Sequence, residues 1–218
     1  MVLIALGVIL ITTVVVAAPN ASRIDDWSER TPGPLPLGEV WKTYPFQEKP
    51  VFKEPPAIVE QDKRRALRLA TASEAMRIGR RIKVDLKQSP WLAWEWKPLV
   101  LPEGGDVRDK KRNDQVARIM IIFEGMKAVT YVWDTTAPVG TEAQPDAFEL
   151  FQRAFVVVRS GSSGVGTWHR ERRNVDADYR RAFGAAPRLV NFVGFESHSN
   201  DTRTRTAVLF GSASWEPQ

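Results

Sequence analysis

The chain of 218 residues has no cysteine. That absence excludes disulfides, thiolate metal sites and a cysteine nucleophile together. Histidine is almost as scarce: His169 and His198 are the two present. They are too few for a three-histidine zinc site, and neither stands in a ligand-spacing signature with carboxylates. The Gly161-Ser162-Ser163-Gly164-Val165-Gly166-Thr167 run lacks the lysine and long following helix of a phosphate loop. It also misses the Gly-x-Ser-x-Gly spacing of a nucleophile elbow, and reads as a turn. A segregated charge is missing as well. Basic residues outnumber acidic ones 31 to 26, but they are interleaved, as in Asp62-Lys63-Arg64-Arg65 and Arg170-Glu171-Arg172-Arg173. A nucleic-acid binder gathers its excess into a stripe, so this pattern describes a solvated mixed-charge surface. The sequence therefore implies no cofactor, no metal ion and no nucleic-acid partner.

What is present is apolar and aromatic. Eight tryptophans and ten phenylalanines can each bury about 150–250 Å2, enough for a core without covalent staples. Val2 to Ala18 carries no charge, and a helix of that length spans about 26 Å, close to the hydrocarbon thickness of a bilayer. Val16-Ala17-Ala18 would serve as the exit of a cleaved signal peptide, yet no lysine or arginine precedes Arg23 and the apolar run is long for a signal. The favoured reading is a retained transmembrane anchor over residues 1–18, with Leu3, Leu6, Leu10 and Val14 along the helix and Gly7 as a point of close helix approach. The flank that follows holds three acids against two arginines up to Arg30. It lacks the basic excess of a cytoplasmic side, so the rest of the chain is expected on the periplasmic, extracytoplasmic side.

Residues 19–56 hold eight of the fifteen prolines. Proline removes an amide donor and fixes φ, so the stretch is expected as an extended arm. Trp27, Trp41 and Phe46 on it have two readings: packing on the domain's own surface, or anchoring to a neighbouring subunit. From residue 57 the pattern becomes strand-like. Ala66–Ala70, Ile78–Leu86, Trp91–Lys97, Val116–Glu124, Ala128–Asp134, Phe155–Ser160, Leu189–Ser197 and Arg205–Gly211 are β-branched or aromatic runs bounded by turn residues. One short helix is expected over Asp176–Phe183. The fold class is mainly β: two packed antiparallel sheets over residues 57–218, a sandwich of jelly-roll or galactose-binding-like type.

Within Trp91–Lys97, alternation puts Trp94 and Trp96 on one face and Trp91, Glu95 and Lys97 on the other. Trp94 and Trp96 read as core. Trp91 and Glu95, with Trp168, form a candidate ligand face on which an indole stacks a sugar ring and a carboxylate accepts its hydroxyls. Glu103, Asp106, Asp109 and Asp114 in the following loop carry the oxygen ligands of a hard cation. Interleaved lysines and arginines favour a self-neutralising loop instead. A hydrolase using Glu95 and Asp106 has no spacing argument to join them.

Several strings, in order, resemble the uncharacterised bacterial domain-of-unknown-function 3047 family. They are Trp94-Glu95-Trp96-Lys97, Leu101-Pro102-Glu103-Gly104-Gly105-Asp106, Asp114 with Arg118, Tyr131-Val132-Trp133, Val157–Gly161, Trp168, Glu171 with Arg173-Asn174-Val175, Asp178-Tyr179, Phe183-Gly184 and Ser197–Thr202. The resemblance covers roughly residues 38–215 and implies an extracytoplasmic β-sandwich with no established activity. The chain departs from it at His198-Ser199-Asn200-Asp201-Thr202, where the family pattern reads Asp-x-Asp-Asn-Thr. It departs again at Ser212, where an acid is expected after the last strand's glycine. The functional expectation is a non-catalytic, membrane-anchored accessory subunit that binds integral membrane proteins of a larger complex. The alternative is an envelope glycan-binding module.

Overall fold

The computed structural model describes residues 22–43, 51–144 and 151–218. In chain order the strands are β1 (Ser22–Arg23), β2 (Gly33–Pro34), β3 (Lys42–Thr43), β4 (Ala57–Gln61), β5 (Arg64–Ala72), β6 (Ala75–Val84) and β7 (Trp91–Val100). They continue with β8 (Ala117–Phe123), β9 (Lys127–Asp134), β10 (Glu142–Ala143), β11 (Gln152–Ser160), β12 (His169–Asn174), β13 (Val190–His198) and β14 (Arg205–Glu216). Two sheets result. The first runs β12-β7-β14-β5-β4-β2 with β1 also on β14, and the second runs β10-β11-β9-β8-β13-β6-β3. Mainly-β architecture, two packed sheets and one short helix are thus as expected. The second sheet is mixed, because β11 pairs with β9 in parallel. Its chain leaves β9 at Asp134 and returns at Gln152, a connection long enough to cross over rather than turn back.

The sheets pack face to face through alternate side chains. Leu92, Trp94 and Trp96 of β7 and Val208, Phe210 and Trp215 of β14 meet Ile119, Ile121, Tyr131 and Phe195 of the second sheet in one buried cluster. Trp94 stacks on Tyr131 at 5.2 Å, and Phe195 meets Phe210 edge-on at 5.1 Å. Aromatic pairs in such geometries add about 0.5–1.5 kcal/mol each beyond their area. The helix α1 (Val175–Phe183) follows β12 directly. The Asn174 side chain accepts from Ala177 N at 2.9 Å, and Gly184 closes the other end at φ 64°. Asp178 on its first turn accepts from Tyr131 Oη at 2.6 Å and from Arg173 Nη2 at 2.7 Å, which pins the helix to both sheets.

One expectation is corrected here. Trp27 and Trp41 are each 1% exposed and belong to the core of this domain, so their side chains have no surface to offer a partner. Their rings lie 4.6 Å apart and both meet Phe195. Trp27 Nε1 donates to Gly211 O, and β1, β2 and β3 pair with β14, β4 and β6. The physical reason is that prolines bar only interior ladder positions, while edge strands accept them. The segment 22–43 is therefore built into the sandwich rather than standing off it. Phe46 lies outside the described residues, as do Leu3, Leu6, Gly7, Leu10 and Val14; among the described residues no helix is long and apolar enough to cross a membrane.

Candidate functional site

On β7 the inward set is Leu92, Trp94 and Trp96, so Trp91 and Glu95 point outward from the first sheet. Opposite Glu95 the pairing of β14 with β7 slips between Phe210 and Ala213. The irregularity puts Gly211 and Ser212 against the carboxylate. A Cβ on Gly211 would lie 3.0 Å from Glu95 Oε2 and 3.1 Å from Trp168 Cζ3. Glycine at this position is what lets Glu95 and Trp168 lean together across the strand. Ser212 Oγ donates to Glu95 Oε2 at 3.0 Å, and Arg64 Nη1 donates to the same oxygen at 3.2 Å.

Trp168 stands at the entry to β12 and is fixed by its nitrogen: Nε1 donates to Asp62 Oδ2 at 3.0 Å. Lys97 Nζ donates to that oxygen at 2.8 Å. Lys97 first, then Trp168, hold the Asp62 carboxyl below the usual carboxylate range. The Arg64 guanidinium lies over the Trp168 ring at 4.8 Å. Arg64 and Glu95 line an open polar cleft of about 480 Å3, together with Arg23, Asp25, Glu60, Lys63 and Ser212, among others. Chemically it offers carboxylate acceptors and cationic donors side by side.

Of the three residues read as a ligand face, Glu95 lines this cleft and Trp168 adjoins it through Arg64 and Gly211. Trp91 lies four positions earlier on β7, about 13 Å along the strand. Its ring carries the Arg172 guanidinium at 3.9 Å, and Arg172 Nε is held by Glu216 at 2.7 Å. Among the described residues no three acids or histidines gather to hold a metal ion, and three of the four loop acids have other partners. Asp106 is paired with Arg108 at 2.6 Å, Asp109 with Arg112 at 3.0 Å, and Asp114 accepts from Thr202 at 2.7 Å.

A second constellation escapes the strand-pattern reading. On the side of the second sheet turned away from the first, Glu196 is fully buried beside Arg118 and Arg153. Glu196 Oε2 accepts from Arg153 Nη2 at 2.8 Å and lies 3.6 Å from Arg118 Nη1. Arg153 Nε donates to Thr130, and Arg118 Nη2 donates to Asn113. Arg77 Nε donates to His198 Nε2 at 3.0 Å, 3.3 Å being the distance from that nitrogen to Glu196. Burial, then Arg118 and Arg77, push His198 well below its ordinary value, so the ring is neutral and accepts from Arg77. Burial opposes ionisation of Glu196, but Arg153 and its other cationic neighbours outweigh it and hold the carboxyl well below the usual range. Glu196 Oε1, Arg118 Nε and Asp114 Oδ1 are buried without a hydrogen-bond partner. The available signal was a lone charge inside each of two apolar runs, Arg118 in Val116–Phe123 and Glu196 in Val190–His198.

Fold and cleft together define a two-sheet β-sandwich that exposes a polar cleft on one outer face, with the Trp168 indole stacked on the Arg64 that lines it. The chain matches the family described as protein of unknown function DUF3047 over residues 39–213, and it belongs to that family. No curated protein matches it. Solved structures similar to it include an endo-1,4-beta-glucanase, CelB2, at 9% identity and TM-score 0.47, covering 90% of this chain and 99% of that one. Another is the xyloglucanase domain of NopAA, a type three effector from Sinorhizobium fredii in complex with cellobiose, at 9% identity and TM-score 0.45, covering 76% and 89%. A loop-swap mutant of Necallimastix patriciarum Xyn11A gives 8% identity and TM-score 0.41, covering 74% and 86%.

Proposed function

We propose that this chain is a non-catalytic, extracytoplasmic glycan-binding module. Within the sandwich class we read its topology as jelly-roll-like. The observation that carries the reading is Glu95, half-buried at the edge of an open polar cleft, its Oε2 fixed by Arg64 and Ser212 beside the pinned indole of Trp168. A carboxylate held in one orientation accepts sugar hydroxyls without first losing side-chain freedom, which lowers the cost of binding. The accessory-subunit reading loses two of its three arm contacts, because Trp27 and Trp41 are core residues. Glycan binding is therefore the first reading, and a membrane-protein partner the second.

Titration of tryptophan fluorescence with a panel of envelope oligosaccharides tests the first. Binding is expected for at least one sugar, and Glu95→Gln should weaken it about tenfold, equivalent to ~1.4 kcal/mol. No response to any sugar at millimolar concentration would overturn it. We propose further that Val2–Ala18, uncharged and long enough to span as a helix, tethers the module to a membrane. The native protein should partition with membranes and have a mass that includes this segment. A soluble form beginning near Pro19 would sink the tether and leave the cleft reading intact.

A further inference from the structure

We infer that the glycan is acidic, its carboxylate seated between Arg64 and Lys63 while a neighbouring hydroxyl goes to Glu95. This rests on the glycan reading above. A neutral sugar is held by stacking on a bare aromatic ring. On this face Trp168 carries Arg64 at 4.8 Å and Trp91 carries Arg172 at 3.9 Å. What the cleft presents at Arg64 is accordingly a guanidinium plate backed by an indole.

The charges lining the cleft point the same way. Asp25 is paired with Arg23 at 2.7 Å, Glu60 with Arg65 at 3.9 Å, and Glu95 with Arg64 at 3.2 Å. Every lining acid thus has an arginine, and the cation left over is Lys63, which makes no ion pair among the described residues. Its backbone is fixed by the two-residue turn between β4 and β5, with Asp62 and Lys63 at φ 55° and 60°. Arg64, the next residue, uses only Nη1 on Glu95; its Nε and Nη2 edge makes no hydrogen bond among the described residues. That edge is the fork that receives a carboxylate through two parallel bonds, with lysine adding a point charge beside it. Glu95 repels a carboxylate, so the acid group has one acceptable side of the cleft and the hydroxyl the other.

The test is calorimetry on the full chain in detergent. The ligands are trimers of galacturonic, glucuronic and mannuronic acid, the methyl ester of each, and polyglutamate as a non-sugar polyanion. At least one free acid should bind about tenfold or more tightly than its own ester, and tighter than polyglutamate. Lys63→Asn, which removes the charge and suits a left-handed φ, should erase most of that difference while leaving the ester's affinity unchanged; Arg64→Gln should erase it too and also weaken the ester, because Arg64 holds Glu95. Equal affinity of acid and ester overturns the acidic-ligand inference and leaves the glycan reading standing. Polyglutamate binding as well as the uronates overturns it too, since charge alone then suffices. No binding by any acid or ester overturns the acidic-ligand inference, and the glycan reading falls with it only where the neutral envelope sugars fail as well.

Discussion

Glu196→Gln should destabilise the protein by about 3–5 kcal/mol, measured by urea unfolding at neutral pH, because removing one partner of a buried ion pair strands the other. The carboxylate has no exposed surface, and Arg118, its side chain 2% exposed and held on Asn113, would be left buried without its counter-charge, while Arg153 on Thr130 keeps 11% of its side chain exposed. Glutamine keeps the shape and removes only the charge. Replacing Glu196, Arg118 and Arg153 together by apolar residues of similar volume should recover most of the loss, since the desolvation penalty of three ions goes with them. A loss below about 1 kcal/mol in Glu196→Gln would mean the cluster is hydrated and not a closed ion network.

The same cluster sets an acid limit. His198 is held neutral by burial and by Arg118 and Arg77. Below about pH 6.5 an unfolded histidine takes up a proton that the folded one refuses, so stability falls as pH falls. Glu196 acts lower down. Its folded value is depressed, so its stabilisation is complete above about pH 4.3 and is lost as pH falls toward that folded value.

Which parts of this were legible follows from the geometry of sheets. Strands facing the core on one side and water on the other betray themselves by alternation, and Trp91–Lys97 gave both its inward pair and its outward carboxylate correctly. Strand β12 was not legible, because His169–Asn174 is polar on both faces and lies at a sheet edge. The Glu196 cluster was hidden for the opposite reason. Strands β8, β9 and β13 are buried on both sides, so alternation vanishes and one arginine or glutamate amid apolar residues looks like noise. The meeting of Glu95 with Ser212 could not be read from spacing. It depends on a local slip in register at Gly211, which no periodicity records. Ser212, where the resemblance expects an acid, proves to touch Glu95 itself.

The proline-rich stretch misled because composition describes what backbone ladders a segment can form, not what its side chains bury. Trp41→Ala should cost about 3–5 kcal/mol, the range for deleting a large aromatic from a packed core. Trp41 sits at 1% exposure between Trp27, Phe195 and the Arg80 guanidinium at 5.5 Å. Its Nε1 donates to Asp26 Oδ1 at 3.2 Å, and Asp26 is clamped by Arg30 through 2.8 and 2.7 Å bonds. Truncation would therefore open a cavity under β3 and release Asp26 from one of its donors. Because Trp27 shares the cavity and reaches across to Gly211, Trp27→Ala with Trp41→Ala should be non-additive, and the pair should loosen the Gly211–Ser212 irregularity that positions Glu95. The expected readout is a lowered urea midpoint together with weakened sugar binding in the same variant. A Trp41→Ala protein of unchanged stability would return these tryptophans to the surface and restore the partner-contact reading of the arm.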